Sequence, residues 1–188
     1  MRTASILLCL ILWLGVDLPV CAQEKSVDYA PTRYGAALLV GASYDPQNIG
    51  LVILQGQMLI DYDRIAWHAA PDSLRLKFEM NLGLTTDGRH RSLFSLNMLA
   101  LNYLGRFAHG EWTPYVEAGI GLIYTDFQVE GQGLRFNFNP QAGAGFEYAL
   151  PEGRALTFST RLHHISNGNL YRENRGANSA LLMIGYLF

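Results

Sequence analysis

Alternation of apolar and polar side chains is the feature that most constrains the fold of this chain. Between Leu74 and Thr85 every second residue is apolar, and the residues between them are polar or glycine. The runs 112–125 and 134–149 show the same period of two. Successive side chains on a strand point to opposite faces, so each run predicts a strand with one apolar and one polar face.

Eight such runs follow one another along the chain, separated by turn sequences such as Asp45-Pro46-Gln47-Asn48 and Glu130-Gly131. The predicted strands are 10 to 16 residues long. That length is unusual in soluble sheets and suits strands that cross a bilayer at a tilt. The runs cover residues 34–43, 49–63, 73–86, 91–105, 112–125, 134–149, 154–167 and 177–188.

Two kinds of barrel fit this pattern. A soluble lipid-binding barrel turns its apolar face inward, whereas an outer-membrane barrel turns it towards lipid. The interior of an eight-stranded barrel is just wide enough to be filled by side chains. Glycines and charges of both signs on the polar face can fill it, and large apolar residues lie on the other face. We therefore predict an all-β protein, an eight-stranded antiparallel transmembrane β-barrel of the bacterial outer membrane. The charged residues of the polar face are Arg75, Lys77, Glu79, Glu117, Arg135, Glu147 and Arg161.

The first segment predicts export. Residues 1–22 read as a secretory signal peptide, with Arg2 at its start, an apolar core too short to span a membrane, and a cleavage site before Gln23. Residues 23–188 would then form the mature barrel. Lipid attachment at Cys21 is the alternative. Both cysteines lie in this segment, so ordinary cleavage leaves none for a disulfide or a thiolate metal site.

The net charge of −2 argues against a nucleic-acid partner, because such binding depends on neutralising phosphates. With an even number of strands, both termini are expected on the periplasmic side. The seventh run then ends at the extracellular rim, at the level of the outer leaflet.

Three polar residues are predicted to meet at that rim. His164 and Ser166 end the seventh run on its otherwise apolar parity, so they point towards lipid, whereas His163 points into the barrel as a hydrogen-bonding residue. Asn178 opens the last run on the outer parity, across a hairpin from Ser166. Each residue alone is also compatible with a polar position where a strand leaves the hydrocarbon.

The segment His164-Ile165-Ser166-Asn167-Gly168, the loop after it and a last strand ending in Phe resemble the lipid A 3-O-deacylase (PagL-type) family of outer-membrane acyloxyacyl hydrolases. Size, signal peptide and strand number agree along the mature chain, although only residues 162–178 are specific. The resemblance implies Ser166 as nucleophile, His164 as base and Asn167 as oxyanion-hole residue.

The third catalytic position departs from that family. The resemblance implies an acidic residue at this position, but this sequence has Asn178 there. An asparagine can hold a histidine ring by a hydrogen bond but brings no charge. Glu173, in the loop, is the alternative residue that would orient the ring.

The resemblance implies an outer-membrane esterase that removes an ester-linked hydroxyacyl chain from lipid A of lipopolysaccharide. The acyl chain would lie over Leu162, and Arg172 and Arg175 would pair with phosphates, unless they are solvated loop residues. The implied partners are outer-leaflet lipopolysaccharide and the membrane; a homodimer stays open. No metal or cofactor is implied. The alternative function is a non-enzymatic small outer-membrane barrel of structural, adhesive or defence type, OmpX-like.

Overall fold

The structure is a computed structural model that describes residues 30–66 and 70–188. The predicted signal peptide and the alternative lipid site at Cys21 lie outside the described residues. The described strands are β1 (Arg33–Asp45), β2 (Ile49–Asp61), β3 (Leu74–Thr85), β4 (Ser92–Tyr103), β5 (Trp112–Thr125), β6 (Phe136–Phe138), β7 (Gln141–Ala149), β8 (Ala155–Ile165) and β9 (Ala177–Leu187). Short 3-10 turns follow β2, β4 and β7 at Tyr62–Arg64, Gly105–Phe107 and Pro151–Gly153.

The strands form one closed antiparallel sheet. Consecutive strands pair with each other except for β6 and β7, and β1 pairs with β9 to close the barrel. β6 and β7 are two parts of one crossing, because both pair with β5 and only Asn139-Pro140 separates them. Pro140 has no N–H for the ladder, which interrupts the strand there. The predicted eight-stranded antiparallel barrel is therefore confirmed.

The apolar face of the sheet points outward, as predicted. Large apolar side chains stand exposed around the outer surface, among them Leu54, Leu122 and Leu182, each 60% accessible. Such a surface is stable only against lipid, since exposed apolar patches of this extent are unfavourable in water.

Among the described residues, no helix is long and apolar enough to cross a membrane.

Charged residues fill the middle of the barrel as a compensated cluster. Arg161 Nη2 lies 2.9 Å from Glu79 Oε1 and 2.6 Å from Glu117 Oε1. Lys77 Nζ lies 3.1 Å from Glu79 Oε1 and 3.0 Å from Glu117 Oε2. All four side chains are buried, so two cations neutralise two carboxylates away from water, which is the condition under which buried charges are tolerated.

The prediction that Arg135 contributes to this interior is wrong. Its side chain is exposed and pairs with Asp126 at the rim, because β6 begins only at Phe136 and Arg135 precedes the barrel wall. Arg75 also stays near an edge, where it donates to the backbone oxygens of Asp72 and Leu74.

Replacing Arg161 by methionine should lower the free energy of unfolding by about 3–5 kcal/mol, because Glu79 and Glu117 would keep only one cation between them. Urea titration of the protein in phospholipid vesicles measures this change. Arg135→Met is the matched control, since it removes an exposed ion pair whose loss should cost less than about 1 kcal/mol. Equal losses in the two variants would contradict a stabilising role for the buried cluster.

Candidate active site

The site begins with a cross-strand pair at the upper end of β8 and β9. His164 and Asn178 lie directly opposite each other in the ladder, and both side chains are half-buried on the outer face. His164 Nδ1 lies 2.6 Å from Asn178 Oδ1. The amide oxygen accepts, so the ring carries its proton on Nδ1 and leaves Nε2 free to accept a proton.

A carboxylate stands behind Asn178. Asn178 Nδ2 donates to Asp45 Oδ2 at 3.0 Å, and Arg175 Nη2 donates to Asp45 Oδ1 at 2.7 Å. The outer face therefore carries a continuous chain of hydrogen bonds from the imidazole through the amide and the carboxylate to a guanidinium.

Asp45 is a site residue that the sequence pattern does not indicate, because Asp45-Pro46-Gln47-Asn48 predicts a turn. In the ladder between β1 and β9, Ser43 pairs with Ser179 but Asp45 pairs with Asn178, so Tyr44 is an extra residue. This bulge reverses the parity of the strand and turns Asp45 to the outer face. Neither an Asp before a Pro nor the alternation pattern carries a signal for such a bulge.

Ser166 lies just beyond β8, on the same face as His164. Its backbone N–H donates to Phe138 O at 3.0 Å, and its carbonyl accepts from Phe138 N at 2.8 Å. Gly168, at φ 62°, then turns the chain away from the strand direction. Among the described residues, the ring of His164 is bonded to Asn178 rather than to Ser166 Oγ. Catalytic hydrogen bonds of this kind often tighten only when substrate binds.

The backbone at Gly176 packs against the free edge of the histidine ring. A Cβ built at Gly176 would lie 2.4 Å from His164 Cε1 and 3.0 Å from Nε2. A side chain at this position would have to displace the ring or the loop. The absence of a side chain at Gly176 therefore leaves the space that the ring occupies beside Asn178.

Asn167 supports the loop from the inner side. It is buried, its backbone N–H donates to Asn174 Oδ1 at 2.8 Å, and its Nδ2 donates to Glu173 O at 2.9 Å. Its backbone N–H and its amide nitrogen are thus both bonded within the loop. The oxyanion role predicted for Asn167 stays a prediction.

A second loop, residues 126–135, is hydrogen-bonded to the loop 166–176 that follows β8. Gly133 N donates to Glu173 O at 2.8 Å, and Arg175 N donates to Gly131 O at 2.8 Å. Loop 126–135 is thus bonded along the loop 166–176, which positions Asn174 and Arg175 although neither belongs to a strand. No pattern in the sequence indicates this contact between two loops.

The remaining predicted residues divide between the site and the surface. Glu173 contributes its backbone oxygen and exposes its side chain, and Arg172 is exposed at the rim. Leu162 lies on the outer face with 60% of its surface accessible. His163 points into the barrel as predicted, with Nε2 3.4 Å from Asn139 Nδ2. Within residues 30–66 and 70–188, no group of His, Cys, Asp or Glu side chains is arranged to hold a metal ion.

An apolar groove descends along the lipid face below the site. Its upper part is lined by Leu162 with the small residues Ala142 and Ala180, and its lower part by Phe146 and Phe158. Both parts share further lining residues, so the groove is continuous. The shared residues are Val40, Ala144, Thr160 and Leu182.

A closed eight-stranded barrel with an apolar outer face and a polar interior defines an outer-membrane β-barrel protein. The sequence profile of the lipid A 3-O-deacylase (PagL) family matches residues 54–187, which is more than half of the chain. The chain belongs to this family, and the predicted family and outer-membrane location are confirmed. A comparison of the sequence with curated proteins gives no match.

Solved structures agree on the fold. The outer membrane enzyme PagL is 24% identical, with a TM-score of 0.58 over 80% of this chain and 97% of that one. Neisserial surface protein A is 14% identical, with a TM-score of 0.58 over 83% of this chain and 94% of that one. At these identities the likeness establishes the small outer-membrane barrel fold alone.

Substituting alanine for Gly176 should break the His164–Asn178 hydrogen bond, because the added methyl group occupies the position of the ring edge. In the wild-type protein this bond should slow the exchange of the ring Nδ1 proton with water, and in the variant exchange should become faster. NMR of histidine-labelled protein in detergent micelles measures the exchange. Gly105→Ala is the control, since a Cβ there meets nothing within 4 Å. Unchanged exchange in Gly176→Ala would contradict this packing.

Proposed function

We propose that the protein is a lipid A deacylase of the outer membrane, which hydrolyses an ester-linked hydroxyacyl chain with Ser166 as nucleophile and His164 as base. The observation that carries this proposal is the 2.6 Å bond between His164 Nδ1 and Asn178 Oδ1 on the lipid-facing surface, two residues from Ser166. It leaves the basic nitrogen of the ring available to a hydroxyl on the same face.

In the proposed reaction, Ser166 Oγ attacks the ester carbonyl and gives its proton to His164 Nε2. The imidazolium then gives this proton to the departing sugar oxygen as the carbon–oxygen bond to the acyl group breaks, which leaves a free sugar hydroxyl. Water, deprotonated by the same nitrogen, releases the fatty acid from the acyl-serine. Asn178 holds the ring in the tautomer that both steps require.

The surroundings support a substrate that stays in the membrane. The apolar groove begins at Leu162, immediately below His164, and would receive the acyl chain without removing it from the bilayer. The charged sugar phosphates would then lie at the rim beside Arg172 and Arg175. Arg175 uses one nitrogen for Asp45, and a guanidinium has five donors, so others are available for phosphate.

The oxyanion of the tetrahedral intermediate needs a donor near Ser166. Asn167 is the candidate from the family resemblance, and it could serve if substrate binding releases its N–H from Asn174. Loss of one such donor typically lowers the rate by about 10² to 10³.

Mass spectrometry of lipid A from a Gram-negative host that expresses the protein tests the proposal. The wild-type protein should remove one hydroxyacyl chain, and Ser166→Ala and His164→Ala should each abolish this loss because nucleophile or base is gone. The exposed residues Ser92 and His90 give the matched controls Ser92→Ala and His90→Ala, which should keep activity.

Unchanged lipid A in cells whose membranes contain the folded barrel would contradict the deacylase proposal and favour the non-enzymatic alternative. Folding is checked by the different migration of heated and unheated barrel in gel electrophoresis. Retained activity in Ser166→Ala would contradict the serine mechanism alone.

Filling the groove should separate recognition of the acyl chain from the chemistry. Ala180→Phe should raise KM for lipid A by about tenfold or more, since the bulky ring occupies the path of the chain, while hydrolysis of a short-chain nitrophenyl ester changes little. Ala100→Phe, on β4 away from the groove, is the control. Equal effects on both substrates would contradict the groove as the acyl site.

A further inference from the structure

We infer that Asp45 is a positioning residue for the proposed hydrolysis, acting on His164 through Asn178. The inference rests on the proposed function for its catalytic consequence. Its structural basis is independent of that function: Asn178 Oδ1 lies 2.6 Å from His164 Nδ1, and Asn178 Nδ2 lies 3.0 Å from Asp45 Oδ2.

An asparagine beside a catalytic histidine poses a problem of orientation. Its amide can present either an accepting oxygen or a donating nitrogen to the ring. If the nitrogen faces Nδ1, the ring must accept there and carry its proton on Nε2. That tautomer cannot take a proton from a serine, and the wrong tautomer lowers kcat by roughly 10⁴ in the Ser-His-Asp enzymes.

Asp45 resolves this ambiguity. A carboxylate can only accept hydrogen bonds, so it bonds with the amide nitrogen and repels the amide oxygen. Rotating the amide of Asn178 by half a turn would place its oxygen against Asp45 and its nitrogen against His164. The carboxylate therefore selects the orientation in which Oδ1 faces the ring and Nδ1 carries the proton.

The carboxylate is itself held from two sides. Arg175 donates to its other oxygen at 2.7 Å, which leaves Oδ2 for Asn178. The bulge at Tyr44 turns Asp45 to the outer face, where it pairs across the ladder with Asn178. Bulges that re-aim one side chain in this way are frequent next to active sites.

Asp45 also contributes charge. The positive charge that develops on His164 during proton transfer is stabilised by a carboxylate one amide away, through a hydrogen-bonded and polarised Asn178. Asp45 of β1, the strand that pairs with β9, thus supplies the carboxylate that Asn178 lacks.

The test begins with Asp45→Ala in the full-length protein. We expect kcat for lipid A to fall by roughly 10² to 10⁴, with KM changed less than about threefold, because the ring loses its preferred tautomer. In NMR spectra of histidine-labelled protein, the His164 ring should shift from the Nδ1–H form to a mixture with the Nε2–H form. Asp87→Ala is the matched control, since it removes another exposed carboxylate paired with an arginine, Arg91, in the loop between β3 and β4.

An exchange of the two side chains separates positioning from a general structural role. Asp45→Asn combined with Asn178→Asp puts the carboxylate directly at the ring and the amide behind it. This double variant should recover kcat to within about tenfold of the wild-type value, whereas Asp45→Asn alone should stay low. A merely structural Asp45 would give no such rescue.

Wild-type kcat together with an unchanged Nδ1–H tautomer in Asp45→Ala overturns the inference, as does an exchange variant no more active than Asp45→Asn alone. The tautomer measurement needs no substrate. If wild-type protein leaves lipid A unchanged, the proposed function fails, and the NMR result still decides whether Asp45 orients Asn178 and the ring.

Discussion

The pairing of β1 with β9 is the interaction on which the rest of this structure depends. A sheet in hydrocarbon must leave no N–H or C=O without a partner, so it has to close on itself. Here closure joins strands that lie more than a hundred residues apart in the chain. The same pairing brings Asp45 beside Asn178, and so the contact that makes the barrel stable in lipid also completes the candidate site.

Closure divides the side chains into two environments with opposite requirements. Inside, ions must be neutralised by other ions, and the cluster around Arg161 meets this need. Outside, apolar side chains contact lipid, and a groove of small residues runs between larger ones below His164. Polar side chains are tolerated on the outer face only at its upper edge, where the strands leave the hydrocarbon. The catalytic candidates lie at that boundary, within reach of both an acyl chain and its headgroup.

In the proposed mechanism, two residues in series take the place of one acidic residue. A histidine needs a partner that fixes its tautomer and stabilises its charge, and in the family to which the resemblance points one acidic residue fills this position. In this chain Asn178 holds the ring, and Asp45 holds the amide. The division is physically workable because an amide is both donor and acceptor, so that a carboxylate on one side determines what the other side presents.

The sequence by itself determined the period-two pattern, and with it the eight-stranded barrel, its polar interior and its lipid-facing outer surface. The same parity correctly turned His163 inward and His164 and Asn178 outward, because alternation along a strand is a local property of the backbone. Only the tertiary structure decided the place of Asp45, the hydrogen bonds of Asn167 within its loop and the exposure of Arg135. Asp45 depends on a bulge that reverses parity, and Asn167 on bonds within a loop supported by a second loop. Arg135 depends on where the wall of the barrel begins. These features arise from pairings between distant parts of the chain, for which the order of neighbouring residues carries no signal.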